Sequence, residues 1–197
     1  MWDERYRSAD YVYGTAPNEF LRSVADRIPR GKVLSLGEGE GRNAVFLAEL
    51  GCEVIGVDQS PVGLEKARRL AELRGVKIDT AVADLAQYEI APGNWDAIVS
   101  IFCHLPSELR RTLYRKVVQG LRPGGLFVLE AYTPAQLQFK TGGPTSADFL
   151  ASLGVLKGEL QGLNFALGQE LERPVVEGQF HTGLAAVVQI LARKPSH

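Results

Sequence analysis

Cysteine is almost missing from this chain: Cys52 and Cys103 are its two. They have neither the spacing of a metal site nor a disulfide framework, which points to reduced thiols and a cytoplasmic setting. A dominant charge is missing too. The formal net charge is −1, so no broad basic field draws the protein to nucleic acid or to an anionic membrane surface. No apolar run is long enough to cross a bilayer. The opening "MWDERYRSADYVYG" lacks the basic-then-apolar order of a secretory signal. Repeats, low-complexity segments and linkers are likewise not found. These absences leave a single domain over residues 1–197, with no metal ligands, working as a monomer or homodimer.

What is present is an ordinary globular balance, 45% hydrophobic and 23% charged residues over 197 positions. Strand and helix signals alternate from about residue 18 to residue 130. "PNEFLRSVADRI" places Phe20, Leu21, Val24, Ala25 and Ile28 on one helical face. "KVLSL" and "EVIGVD" are short apolar runs of the kind buried on both sides, separated by the helix "RNAVFLAELG" that Gly51 ends. Ser60 followed by Pro61 caps the helix "SPVGLEKARRLAELRG". "VKIDTAVAD" and "WDAIVSIF" are the next strands. Ser107 is expected to cap "SELRRTLYRKVVQGL", with the turn "RPGG" before the strand "LFVLEAY". Beyond Tyr132 a loop and a helix capped near Thr145 or Ser146 are expected, then two strands without a crossover between them, hence antiparallel. Strands alternating with helices make an α/β, doubly wound, mostly parallel sheet.

Chemistry concentrates in "VLSLGEGEGRNAVFLA". Gly37, Gly39 and Gly41 let a strand turn sharply into a helix whose free N–H groups face the turn. About twenty residues beyond Gly37, Asp58 ends the second strand, where a carboxylate can take both hydroxyls of a ribose. Its alternative is a turn aspartate before "QSP". The ligand is a nucleoside of one of two kinds. A dinucleotide such as NAD calls for glycine at position 42, which is Arg42, and would set a pyrophosphate against Glu38 and Glu40. Like charges at a few ångströms cost about 1–4 kcal/mol, depending on the local dielectric. S-adenosylmethionine has no phosphate and brings an ammonium and a sulfonium, which acidic groups favour. At least one of the two glutamates is expected to face solvent, since alternate positions of a tight turn seldom both meet a ligand.

The turn "LSLGEGEGRN", the acid of "VIGVD", the aspartate of "AVADL", the strand "WDAIVSIF" and the turn "LRPGGLFVLE" resemble, in order, the motifs of class I S-adenosylmethionine-dependent methyltransferases. "GRN" and the ending "VVQILARK" look most like the small tellurite-resistance-type branch of bacteria. The resemblance implies a Rossmann-like sheet of order 3-2-1-4-5-7-6 with strand 7 antiparallel. It also implies that Gly37, Gly39 and their neighbours Leu36, Glu38, Arg42 and Asn43 hold the methionine part. Asp58 would take the ribose, with Gln59 and Ser60 bordering the adenine. Asp84 would accept from the adenine amino group, with Ala83 and Leu85 beside the ring. Ile101, Phe102 and His104 would lie near the methyl group. One position departs from the family: Ser35 stands where its strand usually carries an acid.

The activity so implied is methyl transfer from S-adenosylmethionine, leaving S-adenosylhomocysteine, to a small acceptor such as a thiol, metalloid oxyanion, carboxylate or other metabolite. A nucleoside-binding protein without catalysis is the alternative, and an NAD-dependent oxidoreductase a weaker one. No basic patch or "NPPY"-like stretch favours nucleic acid. His104 in "FCHLP" is an even choice between a general base and a packed loop histidine, and Cys103 reads as a small buried thiol. His181 in "GQFHTG" and the loop "KTGGPTS" with Lys140 are weaker candidates for the same face. Residues 1–17, too polar for core and too aromatic for a tail, are expected to form a lid. There Tyr6, Tyr11 and Tyr13 close the site, and Tyr11 and Tyr13 are candidate catalytic groups.

Overall fold

The computed structural model describes residues 2–139, 141–178 and 181–196. Lys140 lies outside them, and the His181 side chain is not described. Six strands and their crossovers follow the expected order: β1 Lys32–Leu36, α3 Arg42–Glu49, β2 Glu53–Asp58, α4 Pro61–Leu73, β3 Asp79–Val82, β4 Trp95–Ile101, α5 Ser107–Gly120, β5 Leu121–Tyr132 and β6 Asn164–Glu177. Before them stand α1 Trp2–Tyr6 and α2 Glu19–Ser23; α6 Leu153–Glu159 precedes β6, and β7 His181–Arg193 ends the sheet. The sheet order is β3-β2-β1-β4-β5-β7-β6, parallel except for β7, which pairs antiparallel with both β5 and β6. That is the expected seven-stranded, doubly wound architecture.

Side chains alternate across the pleat, so consecutive strand residues feed two cores. Val33, Val54, Ala97, Val99 and Leu126 pack on one face with α2, α3 and α4 residues such as Leu21, Leu47 and Leu70. Leu34, Val57, Ile98, Phe127 and Ile190 pack on the other with α5 and α6 residues such as Leu113, Val117 and Leu156. Pairing of Leu36 with Val57 and with Ser100 ends β1, β2 and β4 at one level. Their carboxyl ends therefore present Gly37, Asp58 and Phe102 along one edge, the usual ligand edge of such a sheet. Among the described residues, no helix is long and apolar enough to cross a membrane, and no three His, Cys, Asp or Glu side chains gather as a metal site.

Four expectations are corrected. The helix over "PNEFLRSVADRI" breaks: α2 stops at Ser23, and Ala25–Arg27 is a single 3-10 turn. Ile28 precedes Pro29, whose ring disfavours helical backbone there, so the second turn tightens and ends. Ser107 is the first helical residue of α5, not its cap, and its hydroxyl instead donates to Asp148 at 2.5 Å. "RPGG" lies within β5 as an irregularity, where the register jumps between the Trp95–Leu121 and Ala97–Leu126 pairs. Ser146 caps only the short turn Ala147–Phe149, while Ser152 caps α6. Between them Leu150 is buried in the core and the Ala151 N–H donates to the Tyr132 carbonyl, which holds the chain extended.

The glycine turn is wedged onto α4. Gly41 has φ +96°, and a Cβ there would stand 2.6 Å from the Ala67 backbone. Gly41→Ala combines left-handed strain with overpacking against α4. It is expected to cost about 2 kcal/mol, read as a melting temperature lower by ~4 °C or more.

Candidate active site

The turn is built from its two acids inward. Neither glutamate faces solvent: Glu38 is 7% exposed and Glu40 4%. That corrects the expectation for at least one of them, and each has its own reason. Glu38 folds back under the turn, where Gly56 of β2 leaves it room. There it accepts from the Ala44 N–H at 2.9 Å and from the Ser35 hydroxyl. The carboxylate absent from β1 at Ser35 is thus replaced by one reaching back from the turn. Burial pushes the Glu38 carboxyl up to about 7, against the pull of the Ser35 and Ala44 hydrogen bonds and the Arg42 charge. Glu40 points the other way and pairs with Lys66 of α4. The acidity at the turn that no side-chain cation pairs with therefore resides in Glu38 and Asp58, while Glu40 is neutralised within the protein.

Asp58 ends β2 with both oxygens engaged: Oδ2 accepts from the Gly39 N–H at 2.9 Å and Oδ1 from the Ser60 N–H at 2.9 Å. A carboxylate has about four acceptor sites, so capacity remains for a ligand hydroxyl. Burial raises its carboxyl, and the N–H groups of Ser60, Gly39 and Gln59 draw it back. The Ser60 hydroxyl accepts from Gly63 N–H as the cap of α4 and donates to Asp3. Gln59 and Asp84 are exposed beside this edge, with Ala83 half-buried and Leu85 buried. Ala83 N–H donates to the Asp58 carbonyl at 2.9 Å, which joins the chain after the third strand to the end of the second. Asp84 accepts from Ala86 N–H in its own turn.

At the first turn of α3, Arg42 is 7% exposed and donates through Nη2 to Glu177 at 2.6 Å. Its Nη1 has no hydrogen-bond partner among the described residues. Such a buried charged donor is costly unless a ligand anion meets it. Asn43 accepts from the Asn18 N–H at 3.0 Å. Asn18, fully buried, in turn donates to Glu130 at 2.6 Å and Glu177 at 2.8 Å, and Arg173 forms a fork on Glu130 at 2.8 and 2.7 Å. This network ties the cofactor turn to β5 and to the β6–β7 pair.

Beyond β4 the backbone is strained: Phe102 has φ +48°, unusual for a bulky residue. The conformation turns its ring onto Tyr132 with centroids 4.7 Å apart, and the His104 ring stacks on Tyr132 at 5.4 Å and 11°. Ile101 is buried at the end of β4, and Leu36 at the end of β1. Cys103 lies against Gly37, and burial pushes its thiol up to about 12, too weakly acidic for a nucleophile.

The N-terminal residues lie across the turn. Tyr6 is 5% exposed and fits a notch between two glycines: a Cβ on Gly39 would meet its hydroxyl at 2.7 Å, and one on Gly63 its ring at 3.0 Å. Tyr13 accepts from Arg5 at 2.9 Å and meets the Tyr6 ring edge-on at 6.4 Å. Tyr11 donates to the Lys66 carbonyl at 3.0 Å and so braces the segment against α4. The sequence reading missed Lys66, Gly63, Tyr132 and the Asn18–Glu130–Arg173–Glu177 network. A glycine in the first turn of a helix was the one visible sign, at Gly63.

The residues present fit S-adenosylmethionine: Asp58 has acceptor capacity that a ribose could use, and Arg42 Nη1 is a buried donor that a carboxylate could meet. Residues 33–125 match a family described as Methyltransferase domain. Over 134 residues the chain is 28% identical to 2-heptyl-1-hydroxyquinolin-4(1H)-one methyltransferase of Mycobacteroides abscessus, covering 66% of this chain and 59% of that protein. The structure of TehB from Haemophilus influenzae superposes with a TM-score of 0.75 at 23% identity, over 98% of this chain and 65% of that one. The N-methyltransferase NodS from Bradyrhizobium japonicum, solved in complex with S-adenosyl-L-homocysteine, gives 0.70 at 19% identity, over 98% and 96%. At these identities the two structures speak for the fold. The chain spans about half the length of the curated relatives it matches.

Proposed function

We propose that this protein is a class I S-adenosylmethionine-dependent methyltransferase and carries a methyl group from that cofactor to a small-molecule acceptor, a reading supported by the matched methyltransferase domain and its relatives. The observation that carries the proposal is the presence at one edge of Asp58, with acceptor capacity to spare, and Arg42, with a buried donor unmet. When bound, the cofactor supplies an electrophilic methyl group, which an acceptor lone pair takes in line as the bonding electrons pass to sulfur.

The protein's part is positioning and exclusion of water, for which effective molarity can supply roughly 7–11 kcal/mol of the barrier. Asp58 and Arg42 would fix the two ends of the nucleoside. Phe102, His104 and Tyr132 form an aromatic wall where the acceptor would approach, suited to a planar or polarizable group. Residues 1–17 act as a lid in this reading, with Tyr6 and Tyr13 over the cofactor. His104 serves as base only for an acceptor that must lose a proton near neutral pH. The net charge of −1 supports a small acceptor over a nucleic acid, and a cytoplasmic monomer or homodimer is the setting proposed.

The test is a panel of hydroxylated heteroaromatic, thiol, carboxylate and metalloid-oxyanion acceptors, assayed for S-adenosylhomocysteine release. Release with one class, absent in Asp58→Ala, is the expected result. Binding of S-adenosylmethionine without release from any class would point to a non-catalytic binder. Heat from NAD and none from S-adenosylmethionine would reverse the cofactor. His104→Asn is expected to lower kcat/KM for a hydroxyl acceptor while sparing a thiolate acceptor and cofactor affinity.

A further inference from the structure

The buried pair Lys66–Glu40 has no part in the roles above. Lys66, on α4, is 8% exposed. Its ammonium donates to the carbonyls of Asp10 at 2.7 Å, Ser8 at 2.9 Å and Tyr6 at 3.3 Å, besides pairing with Glu40. It also stands over the Tyr11 ring, 5.1 Å from the centroid. The second Glu40 oxygen accepts from Val12 N–H at 2.8 Å and Tyr13 N–H at 3.3 Å. Between α1 and α2 the chain has no helix or strand to satisfy its peptide groups. Two side chains from elsewhere satisfy them instead, one cation for the carbonyls and one anion for the N–H groups.

Glu40 is also the residue between Gly39 and Gly41, the floor of the cofactor turn. The residue whose carboxylate holds the N-terminal segment is thus anchored by its backbone in the turn itself. We propose that Lys66 and Glu40 are positioning residues for S-adenosylmethionine: they latch the N-terminal segment so that Tyr6 stays in the Gly39–Gly63 notch and walls the cofactor site. The inference rests on the cofactor reading above. Without the ammonium, the Tyr6, Ser8 and Asp10 carbonyls converge on no donor, the segment lifts, and Tyr6 leaves its notch. Linkage makes the effect mutual: whatever factor the latched segment adds to cofactor affinity, bound cofactor returns to the segment's closure.

The experiment uses the full chain as wild type, Lys66→Met, Lys66→Arg, Tyr6→Ala and Tyr6→Ala/Lys66→Met. Affinity for S-adenosylmethionine and S-adenosylhomocysteine is measured by calorimetry, and latching by tryptic cleavage after Arg5 and Arg7. Lys66→Met is expected to weaken both ligands about tenfold and to speed cleavage about as much. Lys66→Arg restores both to within about threefold. In the Tyr6→Ala background, Lys66→Met changes affinity less than twofold, because its effect passes through Tyr6. Since Lys66→Met leaves Glu40 buried and unpaired, Glu40→Gln/Lys66→Met removes both charges and is expected to show the same loss in a folded protein. Wild-type affinity in Lys66→Met and the double charge variant, or an equal loss with and without Tyr6, would overturn the latch. A wild-type protein that binds neither ligand overturns the cofactor reading instead. The cleavage pattern still judges the latch in that case, and cleavage no faster in Lys66→Met sinks it.

Discussion

Asp58→Ala is expected to weaken S-adenosylmethionine binding by at least about a hundredfold. Two hydroxyls donating to an ionised carboxylate are each worth roughly 1.5–3 kcal/mol, so losing both removes about 3 kcal/mol or more. The same substitution frees the Gly39 and Ser60 N–H groups, which loosens the turn and the start of α4 together. Asp58→Asn separates the two effects. An asparagine can still accept from one N–H, so it should preserve the melting temperature better than alanine while binding the cofactor almost as poorly. Calorimetry with S-adenosylhomocysteine gives the affinity and thermal denaturation the stability. Undiminished affinity in Asp58→Ala would remove the ribose from this carboxylate.

Glu38→Gln is expected to change how stability depends on pH. The Glu38 carboxyl stands raised from an ordinary value of 4.5 to about 7, chiefly by burial. Between those values the folded state holds a proton that the unfolded state has lost, so stability falls as pH rises through the window. The destabilisation is absent below about pH 4.5 and fully present above about pH 7, where it is on the order of 3 kcal/mol. Glutamine keeps the shape and can still accept from Ala44 N–H, but it cannot ionise. Relative to wild type, Glu38→Gln should therefore gain stability from pH 4.5 to about pH 7 and level off above it in denaturant titrations. A constant difference across that range would show that Glu38 is an ordinary carboxylate. A cationic ligand adds a second signature. It favours the ionised form, so binding near pH 6.5 should release a proton from wild type and none from Glu38→Gln.

These two acids show where the sequence was readable and where it was not. The place of Asp58 was legible because the end of the second strand after a glycine turn has one geometry in a parallel sheet. Glu38 and Glu40 were legible as acids at the turn but not as to direction. Their paths depend on groups distant in sequence: Gly56 makes room for one, and Lys66 neutralises the other. The charge argument for a sulfonium nucleoside is thereby moved from Glu38 and Glu40 to Asp58 and Glu38. His104 was recognised by place alone, and only Tyr132, from the end of β5, shows its ring held in a stack.

The sequence by itself determined the sheet. Apolar runs of strand length, helical periodicity between them and glycine or proline at the joints leave little choice but parallel strands with crossovers, and the two final strands without a crossover must run antiparallel. These are local rules, and local patterns carry them. The tertiary structure alone decided how the site is held. Asn18, Glu130, Arg173 and Glu177 form one network from three segments, and Lys66 gathers carbonyls from a stretch more than fifty residues away. Such contacts follow from which groups folding brings together and buries without water, so each must find a partner there. No residue's neighbours in sequence foretell which partner that is.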